Sequence, residues 1–127
     1  MNQELARELK NSIAGRILKY DCVTFAEMIR LKGFEGGDHT LQFSSPDQGF
    51  DNIILWAGMS AEGAWAVEQI RKDERFAMEE ASPMSYMVDG AVPNFPLAKE
   101  KRIYDEPHWL PVCFSVKRPQ PKRSARH

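Results

Sequence analysis

The sequence predicts one α+β domain followed by a short basic tail, and three observations carry that reading. Apolar residues recur at three- and four-residue steps in the N-terminal third, where helices are expected. Segments of alternating or continuous apolar residues, bounded by Gly, Asp, Asn and Pro, follow as strands. At 127 residues the chain suits one ordinary domain rather than two. A domain of this length can bury a core without disulfides or a structural metal.

From Gln3 to about Lys19, Leu5, Ala6, Leu9, Ile13, Ile17 and Tyr20 form one stripe of an amphipathic helix, with Glu4, Arg7, Glu8 and Lys10 on other faces. Gly15 weakens this helix by about 1 kcal/mol relative to Ala. A second helix is predicted at 25–32. Thr24 and Glu27 have capping-box spacing, Val23 and Met28 occupy the staple positions, and Gly33 marks the stop. Residues 33–51 read as an insertion rich in Gly, Asp and Ser. Within it His39, Leu41 and Phe43 alternate with polar residues as a short strand or hairpin arm. Ile53–Trp56 is a continuous apolar run, expected as a buried strand.

Ser60 is a good N-cap for a third helix ending near Lys72 or Asp73. Steps of 100° place Met59, Gly63, Ala66, Val67 and Ile70 on one face, whereas Trp65 falls on the polar side near Ala61, Glu68 and Lys72. Two alternating segments, Arg75–Glu79 and Met84–Asp89, read as a β-hairpin with a four-residue loop. His108–Val116 alternates again, and Pro111 makes it an edge or interrupted strand. Residues 1–116 are thus expected to form the folded domain. Residues 117–127 carry no large apolar side chain and are expected to be disordered.

Charge divides at the same point. Residues 117–127 hold five bases and no acid, which leaves twelve bases against eighteen acids in the body. Cys22 and Cys113 show no zinc-ligand spacing and have apolar neighbours, so buried reduced thiols in a cytoplasmic protein are expected. No signal peptide or membrane span is apparent. No GxSxG, P-loop, HExxH or GxGxxG motif occurs, and His39 and His108 have an acidic neighbour but no companion nucleophile. No catalytic activity, metal, cofactor or small-molecule substrate is therefore expected.

The order helix, helix, apolar strand, helix, hairpin over about Val23–Gly90 resembles the winged-helix superfamily. The stretch GMSAEGAWAVEQIRKDERFAMEEASPMSYMVDG carries most of the resemblance. It implies three helices with a β-hairpin wing and further C-terminal strands. It also implies a DNA-binding protein, such as a small transcriptional regulator, with helix 60–72 in the major groove. Arg71, Lys72 and Arg75, with Lys117, Arg118, Lys122, Arg123 and Arg126 of the tail, would then contact nucleic acid. Glu79 and Glu80 at the wing tip oppose that, because carboxylates repel phosphates. The alternative is an interaction module in which Trp65, Glu68, Glu79 and Glu80 meet a protein partner or a second copy.

Overall fold

The computed structural model describes residues 1–118, so Lys122, Arg123 and Arg126 lie outside the described residues. In chain order the elements are α1 (Gln3–Tyr20), β1 (Val23–Thr24), α2 (Phe25–Met28), β2 (Glu35–Ser45), a 3-10 turn at Pro46–Gln48, β3 (Phe50–Met59), α3 (Ala61–Lys72), β4 (Phe76–Glu80), α4 (Pro83–Met87), β5 (Ile103–Trp109) and β6 (Val112–Val116). The strands form two three-stranded sheets, ordered β1-β6-β4 and β2-β3-β5. The first is antiparallel. In the second, β2 and β3 form a hairpin and β5 lies parallel to β3. The fold is α+β, as expected.

The predicted wing is replaced by a different arrangement. Its first arm is the strand β4, but β4 pairs with β6, in register from Phe76 opposite Val116 to Glu80 opposite Val112. Its second arm is the helix α4. Ser82 is the N-cap, its hydroxyl accepting from the Met84 N–H at 3.2 Å, and Pro83 fills the first turn. A Ser-Pro start outweighs a five-residue alternation, because proline's fixed φ suits the first turn and its missing N–H would be unpaired there anyway. Of the alternating set Met84, Tyr86 and Val88, only Tyr86 turns inward. Its hydroxyl donates to the Val112 carbonyl and accepts from the Phe25 N–H at 3.1 Å, while its ring meets Trp109 edge-on at 5.0 Å. Burial pushes the Tyr86 phenol well above its ordinary pKa.

The second helix is also shorter than expected. Thr24 caps it through the Glu27 N–H at 3.3 Å, but regular helix ends at Met28 and turns carry the chain to Leu31. The capping box is only half formed, because the Glu27 carboxylate faces Arg16 at 4.0 Å instead of closing it. The 33–51 insertion is ordered as β2 and the turn into β3, so a hairpin separates the two predicted helices in sequence while Gly33 and Phe34 stay against the start of α3.

The third helix matches its reading. The Ser60 hydroxyl accepts from the Gly63 N–H at 2.9 Å and donates to the Gly33 carbonyl at 2.6 Å. Gly63, Ala66, Val67 and Ile70 are buried. Gly63 is required by close approach, since a Cβ there would lie 2.3 Å from the Phe34 carbonyl oxygen. Beneath α1 and α3, Phe25, Phe34, Trp56, Tyr86, Trp109 and Phe114 build an aromatic core, with Phe25 stacked on Trp56 at 5.6 Å.

Cys22 and Cys113 are not free thiols: they are bonded to each other, with Cα atoms 5.1 Å apart. The pairing follows from β1 lying against β6, where Val23 stands opposite Phe114 and Thr24 opposite Cys113. Cys22 is reached through two residues at positive φ, Asp21 at 60° and Cys22 at 27°, which swing the chain from α1 into β1. The cytoplasmic expectation loses its ground, since disulfides persist mainly in oxidising compartments. No described helix is long and apolar enough to cross a membrane.

Candidate nucleic-acid interface

The two long helices α1 and α3 lie side by side and run in the same direction. Asn2, at the start of α1, donates its N–H to the Glu62 carboxylate at 2.6 Å, near the start of α3. Trp65 sits beside Ala6 and Arg7 along a shallow pocket that also includes Met1 and Gln3. Further along, Lys10 and Ala14 share a second groove with Gln69, Ile70, Lys72, Asp73 and Arg75. Ala6 and Ala14 are small residues on one edge of α1, and their size lets α3 approach closely there.

Several of the basic residues singled out from the sequence meet at the far end of this seam. Lys72 and Arg75 line its second groove with Lys10. Lys117 follows β6, and its N–H donates to the Arg75 carbonyl at 2.7 Å. Arg118 lies beside Asp21 at the C-terminal cap of α1. Arg71 is directed elsewhere: it pairs with Glu68 at 2.8 Å and its guanidinium lies 5.0 Å from the centre of the Phe43 ring on β2.

Carboxylates offset part of this charge. Arg75 holds Asp73 through its guanidinium, with the shortest contact at 2.7 Å, and keeps that carboxyl at a pKa of about 2. The Arg118 guanidinium and the Val116 N–H likewise hold the Asp21 carboxyl below its ordinary range. Glu74 is exposed nearby, and Glu79 adds a weaker attraction on Arg118. Among the described residues Lys10, Lys72 and Lys117 have no carboxylate within ion-pair distance. Lys19, Arg71 and Lys72 also complement the negative ends of α1 and α3, a structural role that coexists with any contact to an anion.

The residues of the alternative reading do not share one surface. Trp65 is half-buried and packs against the flank of α1. Glu68 is tied to Arg71. Glu79 and Glu80 are exposed at the end of β4, opposite Cys113 and Val112. A different surface was not foreseen: Met84, Met87 and Val88 of the α4 segment are all more than half exposed. Their alternation suggested a buried strand face, so only the helical conformation reveals them. The sequence reading also missed Lys10 and Arg7, because nothing local to α1 shows which neighbour its edges face.

His108 takes a structural position, and His39 is exposed on β2. The His108 ring stacks on Tyr104 at 4.0 Å and its Nδ1 lies 2.8 Å from the Glu106 carbonyl, so Nδ1 carries the donated proton. No group of three or more His, Cys, Asp or Glu side chains able to hold a metal occurs among the described residues. Comparison of the chain with protein-family models, with curated proteins and with solved structures finds no match in any of the three.

Proposed function

We propose that the protein binds nucleic acid, through contacts from Lys10, Lys72, Arg75 and Lys117 to backbone phosphates. One observation carries the reading. Cations from α1, α3 and the end of β6 converge at one end of the seam, where the chain continues into its basic tail. Phosphate neutralisation by Lys and Arg supplies most of the affinity in sequence-independent binding. A group of cations at one end of an acidic body draws a polyanion toward that end.

Base-specific reading of duplex DNA by α3, which a transcriptional regulator of the winged-helix kind would need, has less support. The helix is flanked by α1 on one side and by β2, through Arg71 and Phe43, on the other. A strip of α3 is left to solvent, and the two segments expected as a wing are instead a strand paired with β6 and the helix α4. The test is fluorescence anisotropy of a labelled oligonucleotide at several salt concentrations. Affinity is expected to fall steeply with salt, and K72E/R75E is expected to weaken binding at least tenfold at low salt. Binding that ignores both salt and this substitution would refute the proposal.

The interaction reading keeps one specific support, the exposed Met84, Met87 and Val88. Methionine-rich exposed surface is a common feature of adaptable protein interfaces.

A further inference from the structure

We infer that the nucleic acid is single-stranded and that Trp65 is its base-stacking platform. The inference rests on the phosphate-binding reading above and extends it along the same seam. Trp65 and Lys72 are seven residues apart on α3, so about 10 Å of helix separates the aromatic from the basic groove. The rise of about 3.4 Å per nucleotide along a stacked strand is the most compact spacing, so no more than about three nucleotides are needed to span that length.

The chemistry changes along the seam in the order a single strand requires. At one end lie the half-buried Trp65 ring, Arg7 and the apolar Ala6 and Met1. At the other lie Lys10, Lys72 and Arg75, with Lys117 beyond them. Single-strand binders combine a basic track for the backbone with aromatic rings on which bases stack. An unpaired base can offer its face to Trp65, whereas duplex bases keep their faces inside the stack. The seam is a shallow groove between two helices.

Two carboxylates near the track are engaged, and Glu74 stays exposed beside it. Glu62 accepts from the Asn2 N–H and Asp73 is held by Arg75. On α1, steps of 100° turn Glu4 and Glu8 away from the edge that carries Ala6, Lys10 and Ala14.

The three tryptophans make the test direct. Trp56 and Trp109 are buried, at 6% and 1% exposure, so a quenching ligand in solution reports on Trp65. The full chain is titrated with a (dT)12 oligonucleotide and with a 12-base-pair duplex at low salt, following tryptophan emission and anisotropy. The expected result is strong quenching by (dT)12, with affinity at least fivefold above that for the duplex. W65L should remove the quenching and weaken (dT)12 binding about tenfold, and W65F should recover most of the affinity because it keeps an aromatic face. K101Q, on the loop before β5, should behave as wild type.

Equal or tighter binding of the duplex overturns the single-strand inference. So does (dT)12 binding that neither quenches tryptophan nor changes in W65L. In both cases the phosphate-binding reading survives. Absence of binding to either nucleic acid, with W65L and W65F folded by circular dichroism, overturns both readings.

Discussion

The α1–α3 seam and the α4 segment face solvent in opposite ways. The seam is built from two long helices with side-chain N-caps, and its basic end is secured by ion pairs and by the disulfide that ties Cys22, just after α1, to β6. The α4 segment is a single turn-length helix that presents Met84, Met87 and Val88 outward and is anchored inward by one phenol, Tyr86. The first surface carries clustered positive charge on well-capped elements. The second carries apolar area and little charge. A protein that uses the first should bind its ligand with strong salt dependence, and one that uses the second should not.

Substitutions can break this contrast in order of expected effect. Removing the disulfide with C22S/C113S should cost about 4 kcal/mol, since the bridge spans 91 residues, and should loosen the basic end of the seam first. Urea unfolding of the variant against wild type measures this, and an unchanged midpoint would show that β1–β6 pairing alone holds that end. Next, Y86F leaves the Phe25 N–H and Val112 carbonyl without their buried partner and should cost about 1–3 kcal/mol. Hydrogen exchange should then speed up in α4 while the amides of α3 keep their protection. G63A acts on the seam instead: its methyl would press on the Phe34 carbonyl, with an expected loss of about 1–3 kcal/mol.

The smallest effect concerns acid. The Asp73 carboxyl titrates at about 2 in the folded protein against an ordinary value of 3.8. Its pair with Arg75 therefore adds stability that is complete above about pH 4 and is lost as pH falls through about 2. Because the pair is solvent-exposed, the gain is small. Thermal melts of wild type and D73N should differ slightly at pH 6 and converge by pH 2. A difference that persists at pH 2 would show that Asp73 acts other than as a carboxylate.

Local signals were legible and long-range pairings were not. The apolar stripe of α1 lies within one helix, and Ser60 and Thr24 act through their own near neighbours, so α1, α3 and the start of α2 could be read from spacing. Pro111 does separate β5 from β6. Nothing near Phe76–Glu80 says that its partner is Val112–Val116 rather than the next alternating segment, and the same gap hid the Cys22–Cys113 bond. For the site, Lys72, Arg75, Lys117 and Arg118 stood out by charge. Lys10 and Arg7 join them only because α1 packs parallel to α3. Trp65 looked anomalous on a polar face because its packing partner, the flank of α1, is remote in sequence.

Amide chemical-shift mapping with (dT)12 on the isotopically labelled protein puts the contrast between the two surfaces to a direct test. Perturbations are expected to cluster at Arg7–Lys10, at Trp65–Arg75 and around Lys117, leaving Met84–Val88 unmoved. Shifts concentrated on Met84–Val88, or spread without regard to the seam, would contradict the assignment of binding to α1 and α3.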